Sequence, residues 1–241
     1  MTTVISNAYI APIVGDEIPS GYLVIEGTKI TAVGSGSAPV LAGAENIDAS
    51  GCLVTPGLVN THHHLYQWAS QGLAKDNTLF EWLVALYKPW SKMDAEVVGG
   101  AAAAGLGWLA KSGCTTSTDH HYIFPKGRGD LFAAEIDAAQ RIGVRFQPCR
   151  GSMDRGVSDG GLPPDEVVET LDDILTATAE AIDTYHDAAF GSMLRIAVAP
   201  CSPFSISKQL LVESVQLARA KGVRLHTHLA ETLDEEEHCL A

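Results

Sequence analysis

No run of uninterrupted apolar residues in this 241-residue chain approaches the roughly 18 needed to cross a bilayer, so a membrane partner is not expected. The opening M-T-T-V-I-S-N-A-Y-I lacks the basic stretch and apolar core of a secretory leader, which makes the cytoplasm the expected location. Basic residues are scarce. Sixteen Lys and Arg stand against 29 Asp and Glu, a net charge of −13, and the basic face that nucleic acid requires is missing. Cysteines number five, an odd count without a C-x-x-C pair, which argues against a disulfide framework or a cysteine zinc site. Cys114, Cys149 and Cys201 fall in or beside apolar runs, where a free cysteine acts as a small hydrophobe.

Residues 1–52 read as short strands with turn signals: Val4 to Ile10, Tyr22 to Glu26 and Lys29 to Val33, the last two joined by a tight E-G-T-K hairpin. This segment is expected to be the N-terminal part of a small β-sandwich. From residue 53 to 241 strands and helices alternate. Expected strands are Leu53 to His62, Thr115 to Asp119, Val144 to Cys149, Arg195 to Ala199 and Val223 to Leu229. Expected helices are Asp94 to Lys111, Asp130 to Ile142, Pro164 to His186 and Ser207 to Lys221. Alternation of this kind predicts right-handed crossovers and a parallel sheet, in the α/β class of (β/α)8 barrels. An open doubly wound sheet is the competing architecture. A closed barrel needs eight strands and about 250 residues. Only about five β/α units are expected here, so the chain reads as the N-terminal portion of a truncated barrel.

The unusual polar residues fall together at the predicted C-terminal strand ends, where barrel chemistry collects: His62 to His64, Asp119 to Tyr122, Arg150, Cys201-Ser202 and His226 to Glu231. Strand alternation points His62 and His64 one way and His63 the other. H-x-H alone has an ordinary reading as two polar residues at a strand end. The second pair, H-T-H-L-A-E at 226–231, shifts the balance to a shared metal, since unpartnered buried imidazoles are costly. His226 lies on the face of His228, one layer lower. Trp82 and Tyr87 have helical apolar spacing, which favours packing with a pocket wall as a side benefit.

P-G-L-V-N-T-H-H-H-L-Y-Q, L-F-E-W-L, S-G-C-T-T-S-T-D-H-H-Y and H-T-H-L-A-E-T together resemble the amidohydrolase superfamily, in its nucleobase deaminase branch, with greatest similarity to the 8-oxoguanine deaminases. The resemblance runs from about residue 50 to the end. It implies a metal-dependent hydrolase barrel with His62, His64 and His228 as metal ligands, Glu231 as the proton-shuttling carboxylate and Gln67 against the purine edge. The cofactor implied is one divalent metal ion, Zn2+ or alternatively Fe2+. The family completes the site with a histidine after strand six and an aspartate after strand eight, positions this chain does not contain. The implied reaction is hydrolysis of 8-oxoguanine to urate and ammonia, by attack of metal-activated water on the C–NH2 carbon.

Two further substrate contacts are candidates. Of His120 and His121, alternation does not fix which faces the pocket; His121 is the candidate contact. The planar fork of Arg150 suits an oxo group, and suits a carboxylate ion pair equally. A triazine aminohydrolase or another guanine- or pterin-type deaminase shares the metal and the glutamate. Hydantoinase-like enzymes use two metals bridged by a strand-four lysine, and here that strand reads L-R-I-A-V-A-P-C-S, with no lysine. An inactive truncated fragment is the non-enzymatic alternative. The expected partner is a small heterocycle, with a homo-oligomer expected for the full-length protein.

Overall fold

The computed structural model describes residues 1–240. They form two compact units, Met1–Gly57 and the residues from Leu58 onward. Among the described residues no helix is long and apolar enough to cross a membrane.

The first unit is one mixed sheet. Strands β1 (Thr2–Ile10), β2 (Ile18–Glu26) and β3 (Lys29–Ser35) run antiparallel. β4 (Glu45–Asp48) and β5 (Leu53–Val54) pair parallel to β1. The E-G-T-K turn is present, with Glu26 opposite Lys29 and Gly27 at φ 60°. The alternating apolar face packs around Ala8, Ile10, Leu23 and Ala49.

The segment expected as one buried strand, Leu53 to His62, is divided. Leu53 and Val54 belong to the first sheet; β6 (Leu58–Asn60) opens the second. Pro56 lacks the N–H a continuous ladder would need. β6 is not a buried strand either, for Leu58 and Val59 are 59% and 62% exposed.

The second unit then proceeds through α1 (Leu79–Trp90), α2 (Ala95–Lys111), β7 (Cys114–His121), α3 (Leu131–Ile142), β8 (Arg145–Ser152), α4 (Leu171–Tyr185), β9 (Ala197–Pro200), α5 (Lys208–Lys221), β10 (Arg224–Leu225) and α6 (Leu233–Leu240). Strands β6 to β10 form one parallel sheet in chain order. Consecutive strands are therefore spatial neighbours, and every strand delivers its C-terminal end to the same rim.

Local chemistry sets the boundaries. Asp94 caps α2 by accepting from Val97 N at 3.0 Å, Asp130 caps α3 through Ala133 N at 2.9 Å, and Gly143 closes α3 at φ 80°. The expected long helix from Pro164 begins only at Leu171, capped by Thr170. Glu169 N donates to Met153 O at 3.0 Å, a tie to the residue just after β8 that interrupts a continuous helix. β10 is also shorter than expected. Past Leu225 the chain keeps contact with β9 and the segment after it only at intervals, through His226 N to Val198 O and His228 N to Cys201 O, both 2.9 Å. A Cβ on Gly105 would lie 2.7 Å from Leu65 and 2.9 Å from Trp68. Its absence lets α2 press on the turn that follows the three histidines.

Candidate metal centre and cleft

β6 ends at Asn60, and His62, His63 and His64 follow in irregular chain, yet the alternation holds. His62 Nε2 lies 3.2 Å from His64 Nε2, while His63 turns away to accept from Trp68 Nε1 at 3.4 Å. The loop after β10 brings His228, whose Nε2 is 3.1 Å from His64 Nε2. Three imidazoles from two segments 164 residues apart thus converge on one point.

The tautomers can be argued from partners. His64 Nδ1 is 2.7 Å from the His120 carbonyl and His228 Nδ1 is 2.9 Å from the Cys201 carbonyl. A carbonyl only accepts, so both Nδ1 atoms carry the proton and both Nε2 atoms present bare lone pairs. Two lone pairs 3.1 Å apart repel unless a cation lies between them. Tetrahedral bonds of roughly 2.0–2.1 Å would set donor nitrogens about 3.3 Å apart. Burial, followed by repulsion from neighbouring imidazoles, holds His62 and His64 below the usual imidazole range, and burial does the same for His228. Neutral imidazoles of this kind suit zinc or ferrous iron.

Glu231, three residues past His228, lines the same cleft of about 210 Å³ as the three histidines. Burial, and then the Glu235 carboxylate, push Glu231 above the usual glutamate range. Its loop is held from below. Glu235 accepts from Ala230 N at 2.8 Å and Glu231 N at 3.0 Å, with Ala230 at φ 59°. Gln67 also lines the cleft, on the 3-10 turn Leu65–Ser70. Its Nε2 is 3.3 Å from Tyr122 Oη and 3.4 Å from Tyr66 Oη. Trp82, Tyr87 and Phe204 supply apolar walls.

Two expected substrate contacts lie elsewhere. His121 is fully buried beneath the sheet, with Nε2 2.9 Å from Ile123 O and Nδ1 3.3 Å from Glu135 Oε2. It is His120 that faces the histidine cluster, its ring stacked on His228 at 4.5 Å. Arg150 forms a two-pronged ion pair with Glu169, at 2.8 and 2.7 Å, and covers the Phe124 ring at 3.8 Å. Its fork is occupied, and it opens on a different crevice, between the start of α3 and α4. Of the two options left open for Arg150, the ion pair is the one formed.

Glu135 escaped notice in the sequence, and so did the cluster it makes with Asp119 and His121. Burial pushes Glu135 up to about 8 and raises Asp119, while burial lowers His121 to about 4. Neutral forms therefore dominate this interior. In the unfolded chain Glu135 releases its proton near 4.5, but in the fold it holds it to about 8. The folded chain binds the extra proton between those values, so the contribution of Glu135 to stability is full below about pH 4.5 and is lost toward pH 8, while the buried imidazoles, His121 among them, contribute in the opposite sense below pH 6.5. Chemical denaturation between pH 6.5 and about 8, where the imidazole contribution has levelled off, is expected to show the decline, and Glu135→Gln to flatten it. An identical pH slope in the variant would assign the effect to another group.

The amidohydrolase family model matches residues 53–241. Over 94% of its length the chain is 41% identical to an 8-oxoguanine deaminase of Pseudomonas aeruginosa, covering 51% of that protein. It is 35% identical to a hydroxydechloroatrazine ethylaminohydrolase of a Pseudomonas species, covering 78% of this chain and 40% of the relative. The crystal structure of an atrazine chlorohydrolase from Arthrobacter aurescens, complexed with zinc, superposes with a TM-score of 0.91 at 31% identity, over 98% of this chain and 55% of that one. The chain thus spans about half the length of the curated relatives it matches. With the family pattern matched from residue 53 onward, the chain belongs to the amidohydrolase family.

Proposed function

We propose that this chain carries the metal-holding and substrate-facing part of a deaminase that converts 8-oxoguanine and water to urate and ammonia. The observation behind this reading is the convergence of three imidazole nitrogens at a cleft that Glu231 also lines. His62, His64 and His228 would hold one divalent ion, zinc or ferrous iron. When bound, such an ion supplies the Lewis acidity that makes water acidic near neutral pH.

The chain's own groups bind the ring and move protons at its edge. Trp82, Tyr87 and Phe204 suit the faces of a planar heterocycle and exclude bulk water. Gln67, steadied by two tyrosine hydroxyls, offers its amide to the polar edge of the ring. Glu231 in its protonated form donates to the ring nitrogen beside the C–NH2 carbon, which makes that carbon more electrophilic. The resulting carboxylate takes a proton from the attacking water and passes it to the amine, whose C–N bond breaks to release ammonia, and the proton left on the new C–OH returns to the carboxylate. Its raised pKa keeps the acid form available closer to neutrality than in an ordinary glutamate.

The relative from Pseudomonas aeruginosa favours the oxidised purine, whereas the triazine hydrolases favour a triazine ring. Metal analysis, with release of ammonia from 8-oxoguanine and isoxanthopterin and of ethylamine from an ethylamino hydroxytriazine, separates these alternatives. One equivalent of metal and a kcat/KM highest for 8-oxoguanine are expected. A higher value for the triazine would reassign the substrate. Metal binding with no amine released from any of the three would leave the alternative of an amidohydrolase chain without turnover.

A further inference from the structure

The three converging imidazoles are not held alike. His64 and His228 each donate Nδ1–H to a main-chain carbonyl, of His120 and of Cys201. Substitution cannot remove those partners. His62 has no such carbonyl. Its Nδ1 lies 3.0 Å from Nε2 of His226, and the two rings stack at 5.1 Å with 27° between their planes. The contact joins the C-terminal ends of β6 and β10, the outermost strands of the parallel sheet.

We infer that His226 is a positioning residue for this centre: it accepts the Nδ1–H of His62 and so fixes the tautomer and ring plane that aim His62 Nε2 at the metal. This rests on the metal assignment proposed above. If Nε2 of His62 is to donate a lone pair, its proton must sit on Nδ1, and a metal-holding imidazole is kept in one orientation by an acceptor for that N–H. Nε2 of His226 is that acceptor. The His226 main chain is anchored in turn, since its N–H donates to Val198 O at 2.9 Å. His226 is not itself placed as a ligand. Its Nε2 faces the far nitrogen of His62, away from the point where the three Nε2 atoms meet, and its ring centroid is 6.4 Å from that of His228. His62 depends on this support more than the others do, because it follows a short, exposed edge strand.

The test is competitive chelator titration of the purified 241-residue chain with Zn2+, with Co2+ absorption as a reporter of geometry. Thermal melts of the metal-free proteins check folding. Wild type, His62→Ala, His226→Ala, His226→Asn and His226→Gln are compared. His62→Ala is expected to lose saturable binding. His226→Ala should keep the stoichiometry and lose about 10- to 100-fold in affinity, the usual cost of an outer-shell partner. The Gln amide oxygen reaches the place of Nε2 and should restore most of that loss; the shorter Asn does not reach and should not. If His226→Ala does not fold, the Gln and Asn pair carries the comparison. Wild-type affinity in His226→Ala, or equal affinities in Gln and Asn, overturns the positioning role. A wild-type chain without saturable binding, or His62→Ala binding as well as wild type, overturns the metal assignment and the inference with it.

Discussion

Replacing His64 with alanine is expected to weaken divalent-metal binding by more than about a hundred-fold, beyond the 10- to 100-fold typical of outer-shell partners. His64 is the common vertex of the site, with its Nε2 3.2 Å from that of His62 and 3.1 Å from that of His228. Without it two imidazoles remain, below the three or four protein ligands that zinc sites use. The fold should survive the change. The main chain at Leu65 is tied independently, its N–H donating to Oδ1 of the Asp119 carboxyl group. A ligand that binds only the folded state stabilises it by mass action. Zinc should therefore raise the melting temperature of the wild-type chain and leave that of His64→Ala unchanged. Equal zinc-dependent shifts in both proteins would mean that the cation sits elsewhere.

The residues legible in the sequence were those whose chemistry repeats at equivalent places. Histidines at the ends of two predicted strands required only period-two alternation and a parallel sheet to be brought together, and His62, His64 and His228 do meet. The parity of His120 and His121 was not legible, because a doublet at a strand end carries no phase of its own. The phase lay further back. Asp119 and His121 share a face, opposite to that of His120, and an acid at the apolar stripe of α3 meets them. Glu135 falls four residues after Leu131 and four before Ala139, both buried, so helical spacing alone placed it on the core side. Glu235 gave no such signal. It sits in a run of acids that reads as a solvated helix, and only the tertiary need to cap Ala230 and Glu231 buries it. Strand lengths were misjudged at β6 and β10 for a related reason. Edge segments keep a few ladder bonds while most of the chain departs to form the site.

Glu231→Gln is expected to lower the rate of ammonia release from 8-oxoguanine by 10²- to 10⁴-fold, the range for loss of a positioned proton-transfer group. Glutamine preserves the size and hydrogen-bonding capacity of the side chain and removes its ability to give and take a proton. The loop should keep its course. Glu235 holds it through the backbone N–H groups of Ala230 and Glu231, which the substitution does not touch. Glu231 is not among the three side chains whose donor atoms converge, so metal affinity should stay near the wild-type value. The fall should then appear in kcat more than in KM, because the proton transfer belongs to the transition state and stacking on the aromatic walls does not depend on it. The same preparations serve for steady-state rates and for zinc titration. A variant that keeps its rate to within about tenfold would remove Glu231 from proton transfer. A variant that loses metal together with activity would instead make Glu231 part of the metal's own coordination. A large drop in kcat with zinc binding intact is the result that separates the holding of the metal, by three imidazoles, from the movement of protons, by one carboxyl group on the same loop as His228.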